Sequence, residues 1–257
     1  MNFPLPTSVP RLVDTLRRSS RPALLWYGAD GERVELSGRV LDNWAAKTAN
    51  LCVDELDLGS GDLVVLGDEV HWRALAVTLG AWTAGAAVRP SDPRGTTADG
   101  DVVVALVDAE GGLPPLLAHP PAGARAVVVD RPALSLGLRG GAPDDAVDYC
   151  AEVRSHADVY SGLEEPVADG PALPDPDVGQ EITHARLLPR ALEEAAGREE
   201  QWGTAAAVHV PGRQVDPRFL LRVLAVLASG RAVVLTDRDT ADGSWTAVLT
   251  AENAVGF

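Results

Sequence analysis

Gly59-Ser60-Gly61-Asp62-Leu63-Val64-Val65-Leu66, followed by Trp72, Leu75, Ala76 and Leu79 and then by Gly85-Ala86-Ala87-Val88, is the stretch on which the fold turns. The glycines force a turn, and Leu63 to Leu66 is an unbroken apolar run of strand length. A run without alternation implies burial on both faces, as in a parallel sheet. Trp72 to Leu79 has helical spacing, and Gly85 is placed to end that helix in a left-handed conformation. Ala86 to Val88 is a second strand, so Leu63 to Val88 reads as one βαβ unit with a right-handed crossover. Just upstream, Leu36, Val40, Leu41, Trp44, Ala45, Thr48, Leu51 and Cys52 line one side of a helix that Ser37 can cap. Pro90-Ser91-Asp92-Pro93 closes the element.

The same rhythm continues outward. Before the element, Ser8-Val9-Pro10 starts a short helix. Ala23 to Tyr27 and Arg33 to Leu36 read as a hairpin around Asp30-Gly31. Beyond it, Val102 to Val107 and Ala126 to Val129 are further buried strands, joined by a Pro-rich connection, and a helix is expected from Asp144 to Arg154. From Ser161 to Gly179 acidic residues, prolines and glycines alternate, which excludes a helix or a central strand. Then come a helix through Leu187, Leu188 and Leu192, kinked or delayed by Pro189, a strand from Ala205 to Val210, and a helix from Phe219 to Ala228. A strand from Ala232 to Thr236 follows, and a short final strand at Trp245 to Leu249. The fold class is α/β, a largely parallel sheet flanked by helices. The 257 residues make either one α/β domain or two subdomains, 1–160 and 182–257, joined by the acidic Pro-rich loop 161–181.

Composition narrows the function. A formal net charge of −15 opposes nucleic-acid and anionic-membrane partners, because a phosphate backbone needs a basic patch. Nothing resembles a signal peptide and no apolar run spans a bilayer, so a cytoplasmic location is the expectation. Cys52 and Cys150 are too few for a disulfide framework and read as buried free thiols. Lys47 is the single lysine among 22 basic residues.

The order of motifs from Leu36 to Pro93 resembles the adenylate-forming enzymes, the superfamily of acyl-CoA synthetases, peptide-synthetase adenylation domains and luciferases. Ser37, Leu41, Leu51, Leu58-Gly59-Ser60-Gly61-Asp62 and Ala84-Gly85-Ala86-Ala87-Val88-Arg89-Pro90 stand in the family's order, with a shorter glycine turn. Ile182-Thr183-His184-Ala185-Arg186-Leu187 is similar to the segment that follows the family's phosphate loop. Val208-His209-Val210-Pro211-Gly212 and Ser229-Gly230-Arg231-Ala232-Val233-Val234-Leu235 are similar to the strands that come next. The resemblance covers nearly the whole chain, but only the family's N-terminal portion. It implies the fold of the N-terminal part of that large domain, and AMP-forming ligase chemistry if the site survives.

The residues of that chemistry are replaced. Where the family has a Ser/Thr/Gly-rich loop ending in Pro-Lys-Gly, this chain has Leu173-Pro174-Asp175-Pro176-Asp177-Val178-Gly179-Gln180-Glu181. Prolines remove N–H donors and carboxylates repel a triphosphate. Lys47 lies on the first helix of the central element, and the family's second lysine, on a small C-terminal domain, is not in this sequence. No nucleotide fingerprint, zinc motif or nucleophile elbow stands in for them.

The expectation is therefore a non-catalytic relative acting as a binding or protein-interaction module, with no catalytic residues, no metal and no cofactor. A homodimer or a protein partner would cover its apolar surface. The alternative is a nucleotide- or acyl-binding protein that shares ligase chemistry with another subunit, with ATP or AMP and Mg. The candidate ligand-binding residues are Thr183, His184 and His209. His184 is either a ligand contact or a first-turn surface histidine, and His209 either lines a strand-end crevice or is a hydrogen-bonded core residue. Trp44 and Trp72 fit apolar faces, whereas Trp82 falls off the Leu75/Leu79 line and is assigned to an interface.

Overall fold

A computed structural model describes residues 6–28, 31–91, 101–108, 110–143, 145–160, 162, 165–237 and 245–257. The Asp30 side of the first hairpin turn and the closing Asp92-Pro93 lie outside the described residues. The chain opens with α1 (Val9–Arg17), capped by Ser8, and the antiparallel pair β1 (Pro22–Tyr27) and β2 (Arg33–Ser37). The central element follows as expected: α2 (Gly38–Asp54), β3 (Leu63–Leu66), α3 (Trp72–Ala84) and β4 (Ala87–Pro90). The Ser37 hydroxyl accepts from the N–H of Val40, and Gly85 ends α3 at φ 93°. β3 and β4 are parallel, with Val64 beside Val88.

Next come β5 (Val102–Leu106), the one-turn α4 (Pro115–Ala118), β6 (Arg125–Val129), β7 (Ala146–Asp148) and α5 (Tyr149–Glu152). The helix expected from Asp144 to Arg154 is thus a strand and then a short helix. Val147 pairs with Val127 of β6, and Asp148 caps α5 by accepting from the N–H of Ala151 at 3.2 Å. β8 (Pro171–Pro174) and β9 (Glu181–Thr183) form a separate hairpin, followed by α6 (His184–Glu194), α7 (Glu199–Trp202), β10 (Ala207–His209), α8 (Pro217–Ala228) and β11 (Ala232–Thr236). Pro189 sits inside α6 without ending it, and forgoes only the bond to the Ala185 carbonyl. The last segment, expected as a strand, is α9 (Trp245–Ala251), and β12 (Ala254–Gly256) follows it.

Two five-stranded sheets result. One has the order β4-β3-β5-β6-β7, all parallel. The other has the order β12-β10-β11-β1-β2, parallel except for the β1–β2 pair, and so takes strands from both ends of the sequence. One large core joins α1, α2, α3, α6 and α8 with the inner faces of both sheets. α3 is its axis, because every residue from Trp72 to Ala84 is buried. Gly80 allows α2 to cross α3 closely; a Cβ there would lie 2.5 Å from Cβ of Thr48. Trp82 is wholly buried and donates from Nε1 to the carbonyl of Ala172 at 2.9 Å, so it belongs to the core, not to an interface. Cys52 and Cys150 are buried free thiols, and burial pushes Cys52 up to about 12. Among the described residues no helix is long and apolar enough to cross a membrane.

Candidate functional site

The β8–β9 hairpin stands where the resemblance places a phosphate loop, and its turn closes on itself. The N–H of Asp175 donates to the carbonyl of Gln180 at 2.7 Å, and the N–H of Asp177 donates to Oδ1 of Asp175 at 2.8 Å. Gly179 supplies the left-handed position at φ 66°. Two arginines hold the carboxylates from the helices behind. On α6, Arg190 lies 3.4 Å from Asp175 and 2.5 Å from Asp177. On α8, Arg218 also donates to Asp177. Both guanidinium groups donate to Oε1 of Glu194 at 3.0 Å. Burial pushes the Asp175 carboxyl up, but the N–H of Asp177 and the Arg190 charge outweigh it and hold the group below its ordinary value.

The start of α6 is occupied as well. A helix N-terminus offers free N–H groups to an anion. Here the N–H of His184 donates to the carbonyl of Gly170 at 3.0 Å, and that of Ala185 to Ala168 at 2.9 Å. Thr183 holds the N-cap position with no side-chain capping bond. His184 is buried rather than on the surface, and its Nε2 lies 3.0 Å from the carbonyl of Gly85 at the end of α3. Burial lowers its pKa, with the Gly85 bond opposing.

His209 lies elsewhere. It is the last residue of β10, beside Val234 of β11, and burial pushes it down to about 4, so it is neutral near pH 7. His184 is tied to Gly85, ahead of β4, at the edge where the parallel strands begin; His209 is at the edge where they end. Thr183 and His184 thus belong to the β8–β9 hairpin and the start of α6, with His184 bonded just ahead of β4, and His209 to the end of a strand in the other sheet.

The edge where strands end is also where ligands enter open α/β sheets, at the point where strand order reverses. In the order β4-β3-β5-β6-β7 that point lies between β3 and β5. The two sheets meet at this edge: the N–H of Val215, after β10, donates to the carbonyl of Asp68, after β3, at 2.7 Å. Arg131, directly after β6, spans the join, pairing with Glu69 and, at 3.2 Å, with Asp237 after β11. Beside it a crevice of about 510 Å³ is lined by Val107, Asp108, Arg131, Leu138 and Arg139, among others.

One wall of the crevice is fixed from below. Arg73 of α3 is 1% exposed and donates to the carbonyls of Asp130, Pro132, Ala133 and Ser135 at 2.7–3.2 Å. Its guanidinium stacks 4.6 Å from the centre of the Trp72 ring. His71 caps α3, its Nδ1 accepting from the N–H of Arg73 at 3.1 Å, and burial holds it neutral. Sequence reasoning missed Arg73, because a lone arginine in an apolar helix reads as its solvent face. Arg131 could have been found from its place just past a buried strand. Among the described residues no cluster of His, Cys, Asp and Glu is suited to a metal ion.

No family model matches the sequence. A TIGR03089 family protein of Mycobacterium tuberculosis (strain ATCC 25618 / H37Rv) is 34% identical over 230 residues, covering 83% of this chain and 82% of that protein. Among solved structures, an acyl-CoA synthetase from Brucella canis superposes with a TM-score of 0.72 at 18% identity, over 97% of this chain and 47% of its own. Apo MatB from Rhodopseudomonas palustris gives 0.67 at 17%, over 97% and 48%. The N-terminal domain of FACL13 from Mycobacterium tuberculosis gives 0.66 at 15%, over 97% and 62%. The chain spans about half the length of the first two of these enzymes. The likeness shows the fold, that of the N-terminal part of an adenylate-forming enzyme.

Proposed function

The chain belongs to the TIGR03089 family, and from that premise we propose that it is a non-catalytic binding or protein-interaction module with an adenylate-forming enzyme's N-terminal fold. The observation that carries the reading is the closed β8–β9 turn. A phosphate cradle works by offering backbone N–H groups and hydroxyls. Here the N–H groups of Asp175, Asp177, His184 and Ala185 are used within the chain, and the turn carries two carboxylates, Asp175 and Asp177, paired to Arg190 and Arg218, where a cradle would offer donors. One such carboxylate 4 Å from a phosphate charge repels it by roughly 4 kcal/mol at the effective dielectric of a protein surface. Lys47, the single lysine, is no substitute, for its Nζ donates to the carbonyl of His156 from α2.

A second reading keeps a ligand, bound at the crevice where the strands end. The volume of about 510 Å³, within the range of small-molecule sites, favours it. The two readings part in a thermal unfolding series with Mg-ATP, AMP and acyl-CoA at fixed pH and salt. A ligand at 100 times its dissociation constant adds ~2.7 kcal/mol, enough to raise the midpoint by several degrees. The interaction module shows no saturable rise with any of them. A rise with ATP or AMP overturns it in favour of the nucleotide-binding alternative; a rise with acyl-CoA alone moves the function to the crevice.

A further inference from the structure

The second sheet has an outer face as well as the one it turns to the main core. Leu24, Val208 and Val233 belong to that core, whereas Leu25, Ala207 and Ala232 lie on the other side of the same strands, in a small apolar cluster against which Val248 of α9 packs. Where the strands start, this face opens into a pocket of about 510 Å³. It is lined by residues just ahead of β10 and β11 and around the start of β1, with Leu25, Ala207 and Ala232 as its apolar floor. None of its lining residues belongs to the crevice or to the β8–β9 turn.

Two arginines line it as well. The parallel register that sets Leu24 beside Val233 brings Arg21 and Arg231 to the start of neighbouring strands. Arg231 is fixed: it donates to the carbonyl of Gly203 at 3.0 Å, and its guanidinium carbon lies 5.4 Å from the centre of the Trp202 ring. Arg21 is exposed. Among the described residues neither forms an ion pair, although the chain carries 37 acidic residues against 22 basic ones. The acidic residue of the lining, Glu252, is already engaged, accepting from Arg33 at 2.9 Å and from the Tyr27 hydroxyl. Two unpaired cations side by side repel each other, and an anion between them removes that repulsion.

The shape and polarity of the pocket name the class of ligand. Its volume is that of a small-molecule site, more than a bare inorganic ion fills. A cationic side next to an apolar floor suits a charged head on a short apolar body. We propose that this pocket binds a small organic anion, its head held between Arg21 and Arg231 and its body over Leu25, Ala207 and Ala232. The head is a carboxylate or a phosphate monoester, both of which match the paired N–H donors of a guanidinium. The proposal does not draw on the reading of the β8–β9 turn.

The test follows thermal unfolding of the native chain, Arg21→Gln, Arg231→Gln and Arg154→Gln in sodium butyrate, propyl phosphate and sodium sulfate, each at constant ionic strength. Arg154 is exposed and outside the pocket, so its loss controls for net charge. Expected is a saturable rise of roughly 2–4 °C with butyrate or propyl phosphate at about ten times the dissociation constant, an affinity at least about tenfold weaker in each pocket variant, and the native affinity in Arg154→Gln. The tighter of the two organic anions identifies the head group. Arg21→Gln alters an exposed side chain and carries the test by itself where circular dichroism shows that Arg231→Gln, having lost its bond to Gly203, is poorly folded. No saturable rise with either organic anion, or one equally strong in every variant, overturns the proposal. So does sulfate binding as tightly as both, since a bare ion has no use for the apolar floor.

Discussion

Two loops in this molecule are each held by arginine, and they are held by opposite physics. The segment 130–135, which walls the crevice, wraps around the buried Arg73 and binds it through four neutral carbonyls. The turn 175–180 meets the half-buried Arg190 and Arg218 and binds them through carboxylates. The first arrangement hides a cation from water and compensates it with dipoles, so its strength is nearly independent of salt. The second keeps its charges partly wet, so it weakens as salt rises and as the carboxylates gain protons. A shielded wall and a salt-sensitive turn are the expectation from where each guanidinium was placed.

The sharpest way to break the contrast is Arg73→Met, which strands four carbonyls beneath the crevice wall. It is expected to lower stability by about 3–5 kcal/mol in urea unfolding. A loss below about 1 kcal/mol would show that the wall stands without its clamp. The next effect comes from pH. His209 has a pKa lowered to about 4, so between 6.5 and 4 the unfolded chain takes up a proton that the folded chain refuses. Stability therefore falls as pH drops through that window, by at most ~1.4 kcal/mol per pH unit from this residue. His209→Gln is expected to flatten the slope, and an unchanged profile would assign the dependence to other groups.

Trp82→Phe removes the donor to Ala172 at the base of the β8–β9 hairpin, and should cost about 1–3 kcal/mol by leaving that carbonyl unmet. Hydrogen exchange should then quicken at Ala172 and Leu173 and leave 130–135 as before. The smallest effect is Arg218→Gln, ~0.2–1 kcal/mol at low salt and less in 1 M NaCl. Asp175 has a lowered pKa, so the part of the turn's stability it supplies is present above the ordinary aspartate value of about 3.9 and is lost as pH falls through the lowered one. Acid should thus release the turn while segment 130–135 keeps its protection; simultaneous release would erase the distinction.

How far the sequence foretold this arrangement depends on how local each cause is. The stretch from Leu36 to Val88 was legible because its signals sit within a few residues of their effects: the Ser37 cap, the glycine turn, the unbroken run Leu63 to Leu66 and the left-handed Gly85. The pairing of β1 with β11 was not, since Leu24 meets Val233 across most of the chain and neither carries a mark of the other. Trp82 was misplaced because α3 has no polar side, so periodicity could not say which face it belonged to. The segment from Trp245 to Leu249 carries the β-branched composition of a strand, yet forms a helix in which Thr250 bonds back to the Thr246 carbonyl and Val248 packs on the outer face of the second sheet. Of the candidate site, the replacement of glycines and hydroxyls by prolines and aspartates was readable in the segment from Leu173 to Glu181. That Arg190 and Arg218 would claim those aspartates was not, because both lie on helices whose packing the sequence alone does not reveal.

The complete burial of α3 has a bearing on how the molecule opens. With all 13 residues from Trp72 to Ala84 enclosed, no partial fraying can bring water to the middle of that helix. Its central amides should exchange with solvent only when both sheets part at once, and the slowest of them would read out the free energy of global unfolding directly. A ligand at either edge would then be weighed by the protection it adds to a helix it never touches.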